Sequence, residues 1–418
     1  MTRPFIFFAS AICFYRLAAD FAYVYYIEPY WSYTGFIYEV TVSSFALSWC
    51  CVPVAAYAAC LRRFDPLSIF TLILILGLYI PSASFYCWSN SGIFSFTLVS
   101  VCLIIIGGLG RLRIPNLSSV KLINAYDLRR FLFLINLGLI IALIFYTGTS
   151  RLNFDIQQVY DYRSDQKSGI PVVGLVLANW VGKVTLPALG VLYLYYRNWS
   201  FYFIALFFSV LLFGVINSKS GVAYFLLASG FYFFGRLVLS YSNTHAYLVL
   251  ASAFFIMTMV LLALNLEINL PAAFLVRRAL FTPAKLLNDY IVFFQDSDFL
   301  FWSNQFLEGV VDYPLDVRMG EAVAMASGRD SNASTGYMAS AFAQGGGLVV
   351  LLYTIALALI LKFATPRLNA QGDLLVSSIS LAPLVHIALN VDFVTAFITH
   401  GFLLLILILY AVDFKAVR

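Results

Sequence analysis

Apolar residues gather into twelve runs, near 5–27, 36–60, 67–88, 92–110, 128–147, 171–196, 198–217, 219–240, 244–266, 341–362, 373–390 and 394–412. Each approaches the roughly 20 residues that a helix needs to cross a bilayer's hydrocarbon. The pattern predicts an all-α integral membrane protein, with residues 1–418 forming one polytopic domain. Most connections are short; the exceptions run from Gly148 to Ile170 and from Glu267 to Thr335, the latter between the ninth and tenth spans. Within the longer one, residues 283–296 have helical periodicity: Leu286, Leu287, Tyr290, Ile291, Phe293 and Phe294 share one face, and Lys285, Asn288, Asp289 and Asp296 the other. Such a helix either lies on the outer leaflet with its apolar side down, or closes over the bundle as a lid with its polar face toward a cavity.

Composition agrees: 62% of positions are hydrophobic, 17% aromatic and only 11% charged. Water-soluble domains carry about 25% charged residues, so a soluble enzyme or a nucleic-acid-binding module is excluded. A cleaved signal peptide is a rival reading of the first run, but Arg16 interrupts it and no small-residue cleavage site follows. The six cysteines, Cys13, Cys50, Cys51, Cys60, Cys87 and Cys102, lie in apolar runs without metal-ligand spacing and read as small hydrophobes.

The net charge of +5 matters less than its distribution. With the amino terminus inside, fourteen cations and only four acids (Asp65, Asp127, Asp373, Asp413) fall on the cytoplasmic side. That bias fits an even number of spans with both termini cytoplasmic. The two long connections are then outside, and the second holds fourteen of the 45 charged residues.

Several cations fall on the face that this rule disfavours: Arg151, Arg163 and Lys167 in the first long connection, Lys219 at the outer start of the eighth span, and Arg277, Arg278 and Arg318 in the second. A guanidinium offers a planar fork of donors suited to phosphate oxygens, so a lipid phosphate or pyrophosphate is a candidate ligand. Pairing with local acids, as Arg163 with Asp161 or Asp165, is the plainer alternative. Lys183 lies inside the sixth span beside Asn179 and Thr185, where it either faces a polar cavity or snorkels. Arg16 and Asp20, four apart, read as a neutralising pair. His386 and His400 lie near the outer ends of the last two spans, as candidate bases or helix–helix hydrogen-bonding groups. Gly345, Gly346 and Gly347 suggest close helix packing.

The segment from Asn332 through Thr335, Tyr337 and Phe342 to Gly346 resembles the entry to the span that follows the large periplasmic loop of the O-antigen polymerases (Wzy). Arg277-Arg278 followed by Pro283, Tyr290, Phe293 and Phe294 is similar to that family's arginine and aromatic loop helix, and Asn217-Ser218-Lys219-Ser220 to a Lys-Ser signature at an outer span end. Tyr162-Arg163 with Trp180 and Pro187 resembles the earlier loop and its exit. The resemblance implies metal-independent glycosyl transfer at the periplasmic face of a bacterial inner membrane, without a cofactor. The substrate would be an oligosaccharide on undecaprenyl pyrophosphate, presented by membrane lipid, with a chain-length regulator protein as candidate partner.

On that reading Arg277 and Arg278 are catalytic through the charge they neutralise, and Asp289 or His386 takes the acceptor's proton. Arg151, Arg163, Lys167, Lys219, Tyr290, Arg318, Asn332 and Thr335 contact substrate. An O-antigen ligase would use the same chemistry on a different acceptor. A flippase or secondary transporter also suits twelve spans, although no inverted repeat is visible and few charges lie inside the bundle.

Overall fold

The computed structural model describes residues 2–59, 63–112, 122–148, 152–154, 170–238, 243–329, 333, 335–366 and 368–414. Among the described residues, eleven helices are long and apolar enough to cross a membrane: α1 (Phe5–Thr34), α2 (Val42–Ala59), α3 (Pro66–Ser89), α4 (Ile93–Arg111), α5 (Ala125–Thr147), α6 (Val172–Tyr195), α7 (Trp199–Ile216), α8 (Ser220–Val238) and α9 (Thr244–Leu266) precede the second long connection, and Tyr337–Ala364 and Ala370–Leu389 follow it. The protein is an all-α multi-pass membrane protein. The connection contributes α10, unbroken over residues 269–295, and α11 (Met319–Ala326), so the two later spans are α12 and α13.

The expected twelfth span is broken. It consists of α14 (Phe393–Ile398) and α15 (Phe402–Ala411), separated where Gly401 adopts φ +85°. Neither half is long enough to cross a membrane alone. A two-residue strand β1 (Ile123–Asn124) before α5 pairs in parallel with β2 (Val412–Asp413) after α15, which brings the chain back to the same end of the bundle.

The bundle accordingly has two ends. At one, Arg63 is ion-paired with Asp373, and Lys362 donates to the carbonyls of Leu109, Gly110 and Leu112. At the other, Thr41 bonds Asn90, Asn153 donates to the Gly214 carbonyl, and Gln305 donates to Asp392. This second end carries α10 and the rest of the long connection. Helices α3 and α13 are the most enclosed, while α5 and α9 turn most of their surface outward. Inside, Asp20 accepts from Arg16 Nε at 2.9 Å and from Trp88 Nε1 at 3.0 Å, which realises the expected neutral pair.

Among the described residues, four stretches widen from α to π geometry: Tyr23–Ile27, Ile75–Tyr79, Val181–Thr185 and Ala273–Phe281. Each ends two residues before a proline, namely Pro29, Pro81, Pro187 and Pro283. A proline has no N–H for the helical ladder, and its ring presses on the carbonyl four residues back. The residue before it therefore reaches one position further, as Thr282 does to the Arg277 carbonyl. Two of these turns carry candidate-site residues: Lys183 in one, Arg277 and Arg278 in another.

The glycine run in α12 acts differently from the expected helix packing. Gly346 takes φ +69°, and the helix breaks. The freed carbonyls of Ala343 and Gln344 accept from the backbone N–H groups of Leu300 and Phe301 at 2.9 and 3.1 Å. Gln344 Oε1 also accepts from Trp302 N at 2.6 Å. A segment of the long connection is thereby inserted against the bundle, with the Phe299 ring 3.2 Å from where a Cβ on Gly346 would stand.

Candidate functional site

The helix expected over 283–296 forms over Thr282–Gln295 and continues toward the amino terminus as the rest of α10. It packs over α3, α4 and α12, as a lid would, and its buried face includes Leu286, Leu287, Tyr290, Ile291 and Phe294. Its polar face is occupied by ion pairs. Lys285 Nζ donates to both Asp289 oxygens at 2.9 and 2.8 Å, and Arg329 donates to the same carboxylate at 2.7 Å. The side chains of Lys285, Asp289 and Arg329 are only 8%, 10% and 19% exposed. Asp289 is thus a saturated ion-pair acceptor and has little capacity left to take a substrate proton. Tyr290 donates to the Ala333 carbonyl at 2.8 Å, and burial pushes its hydroxyl pKa up. These contacts hold the return segment toward α12, where Thr335 is buried. Arg318 is exposed at the N-cap of α11.

Arg277 and Arg278 lie one turn before that face, in the π-helical part of α10. The Arg277 guanidinium carbon stands 3.6 Å from the centre of the Trp31 ring. Its Nε is buried without a hydrogen-bond partner. Burial lowers the Arg277 pKa from its ordinary value, and the adjacent Arg278 adds to this. No described carboxylate acts on it: its other electrostatic neighbours are Tyr33 and Tyr26. A guanidinium stays charged in such a setting, so Arg277 is a preorganised cation whose counter-charge is missing among the described residues. Lys219 reaches the same helix, with Nζ 5.7 Å from the centre of the Phe274 ring. Arg277, Arg278 and Lys219 therefore share one neighbourhood.

The chain was compared with protein-family models, with curated proteins and with solved structures. None matches.

A second cluster sits further along α8, whose first turn follows Lys219. Tyr224 Oη is 2.9 Å from His386 Nδ1, and Asn390 Nδ2 donates to the same hydroxyl at 3.4 Å. His400 stacks on His386 with ring centres 4.8 Å apart, and Lys183 lies within electrostatic range. His386 Nε2 is buried without a partner. Of the two candidate proton acceptors, His386 has a nitrogen free and Asp289 does not.

Arg151, Arg163, Lys167 and Asn332 lie outside the described residues. Tyr224 and Trp31 escaped the sequence reading. Tyr224 has no local signal, being 162 residues from its partner. Trp31 stands in an unusually aromatic stretch with Tyr25, Tyr26, Tyr30 and Tyr33, which was a usable hint.

Proposed function

We propose that this protein is a bacterial surface-polysaccharide polymerase, joining undecaprenyl-pyrophosphate-linked repeat units by metal-independent glycosyl transfer on the outer face of the inner membrane. The observation that carries the reading is Arg277, stacked on Trp31 beside Arg278 with no described carboxylate acting on it. On this reading both termini are cytoplasmic and the end bearing α10 is periplasmic. The cation-rich opposite end, with Arg63, Arg111, Arg129, Arg130, Arg197 and Arg236, supports that orientation.

A hydroxyl of the incoming repeat unit attacks the anomeric carbon of the growing chain. The bond from that carbon to the pyrophosphate oxygen breaks, and undecaprenyl pyrophosphate leaves with the electron pair. Pyrophosphate needs charge neutralisation rather than protonation to depart, which Arg277, Arg278 and Lys219 provide. His386 Nε2 accepts the hydroxyl proton while Tyr224 holds the ring through Nδ1.

The test is purified protein in nanodiscs with a lipid-linked repeat unit, read as a ladder of glycan lengths. Arg277→Ala should slow elongation by roughly 10²–10³ if that charge meets the transition state. Unchanged rates in both Arg277→Ala and Arg278→Ala would remove the assignment. A product transferred to a lipid core instead of to a second repeat unit would identify a ligase.

One observation favours a transporter: α12 and the last crossing are both broken, and His400 stands at the second break against His386. Discontinuous helices line substrate sites in many transporters. Translocation into liposomes with unchanged glycan length would decide for transport.

A further inference from the structure

The outer tip of α1 presents a row of aromatic rings to the same space as Arg277. Tyr33 is 77% exposed and Tyr30 49% exposed, although Arg277 nearby is half-buried. Trp31 lies between them in sequence, half-buried, its face occupied by the guanidinium and its ring 5.8 Å from that of Tyr33. Tyr26 stacks against Tyr30 at 5.5 Å and donates its hydroxyl to the Asn269 carbonyl at 3.3 Å, which ties the tip to the start of α10. Trp31 Nε1 lies beside that hydroxyl but is buried without an aligned hydrogen bond.

Aromatic residues at a helix end commonly belong to a membrane-interface belt. Two features separate this group from a belt. Its backbone is locked: Thr34 Oγ1 donates to the Trp31 carbonyl at 2.7 Å, Gly35 N donates to Ser32 O at 2.8 Å, and Gly35 takes φ +90°. The Lys285 side chain lies against that glycine, where an added Cβ would come within 2.7 Å of Lys285 Cε. Second, three of the segment's rings, Trp31, Tyr33 and Tyr26, gather around one cation. Tyr33 and Tyr26 are electrostatic neighbours of Arg277, whereas Glu28, the acid of this segment, acts on Tyr23 and not on Arg277. A rigid, open aromatic face beside an uncompensated guanidinium is complementary to a pyranose carrying an anion, because the ring's C–H face packs on the aromatics while the anion meets the arginine.

We propose that Tyr30 and Tyr33, beside the Arg277-stacked Trp31, form a glycan subsite that binds a sugar ring bearing a phosphate or carboxylate, with Arg277 holding the anion. This rests on the anion role given to Arg277 above, and deepens it by naming what lies next to the charge. Preorganisation means that little ordering cost opposes the contact.

The test titrates full-length protein in nanodiscs with N-acetylglucosamine 1-phosphate and, separately, inorganic phosphate, followed by ligand-observed NMR. The parent should prefer the sugar phosphate by about three- to tenfold, the range of an aromatic stacking contact. In Tyr33→Ala and in Tyr30→Ala/Tyr33→Ala the preference should fall toward onefold while the affinity for phosphate stays the same. Both rings are exposed, so these variants should fold. No preference in the parent, or a preference untouched in the double variant, overturns the subsite and returns these rings to the interface belt. Arg277→Ala should weaken both ligands equally; phosphate binding that survives it overturns the anion role while the sugar preference still scores the rings. Glucuronate in a parallel titration tells whether the preferred anion sits on the anomeric phosphate or within an acidic glycan.

Discussion

Replacing Asp289 by asparagine separates a structural carboxylate from a catalytic one. Its oxygens accept from Lys285 at 2.9 and 2.8 Å and from Arg329 at 2.7 Å, and none of the three side chains exceeds 19% exposure. Exposed ion pairs are worth about 0–1 kcal/mol, whereas removing one partner of a buried pair costs about 3–5 kcal/mol because the other charge is left uncompensated. Here two cations would be stranded by one substitution, so Asp289→Asn should cost about 3 kcal/mol, roughly two decades in the opening equilibrium of this region. Hydrogen exchange of peptides from Thr282–Gln295 reads that opening directly. Adding Lys285→Met to Asp289→Leu removes one of the two stranded cations and should recover about half of the loss, Arg329 remaining unpaired. If Asp289→Asn leaves exchange unchanged but abolishes glycan elongation, the carboxylate is the proton acceptor and the structural reading fails.

Further outcomes follow from single positions. Asp65 caps α3 by accepting from Ser68 N at 2.9 Å, yet burial raises its pKa despite that bond and the nearby Arg63 and Lys362. A carboxyl whose pKa is higher folded than unfolded costs stability at neutral pH, and the cost fades as pH falls through the folded pKa toward the unfolded value near about 4. Asp65→Asn, which keeps the cap, should therefore equal or exceed the parent at pH 7 in thermal unfolding, with the gap closing in acid; a less stable variant at pH 7 would contradict this. Asp65→Ala should lose about 0.5–2 kcal/mol with the cap. A Cβ on Gly336 would lie 2.1 Å from the Ala388 carbonyl oxygen, a backbone atom that cannot swing aside. Gly336→Ala should cost about 3 kcal/mol or prevent accumulation of folded protein. Gly230→Ala, where nothing lies within 4 Å, should be neutral or slightly stabilising; similar yields of the two would refute the close α12–α13 approach.

What the sequence disclosed depended on how local each signal was. Long apolar runs mark spans because the bilayer sets one length scale, and the 283–296 helix was legible because its apolar positions repeat every three or four residues. Periodicity says which residues share a face but not what covers that face. Lys285 and Asp289 read as an open polar surface, and only the return of Arg329, 40 residues later, closes it. Gly345–Gly347 carried an ambiguous signal, since glycine permits both close packing and a broken helix. The break prevails because the backbone of Leu300 and Phe301 satisfies the carbonyls it frees. The prolines that follow the widened turns were visible, but the contact of Arg277 with Trp31, 246 positions away, is not written in any window of residues. Cations were likewise easy to count and hard to interpret. Lys285 and Arg277 stand eight positions apart on one helix; the first is neutralised by its own neighbour, and the second, among the described residues, meets aromatic rings and another arginine. Function is therefore sought at Arg277, because a half-buried positive charge with no acid beside it among the described residues is complementary to an anion from outside them.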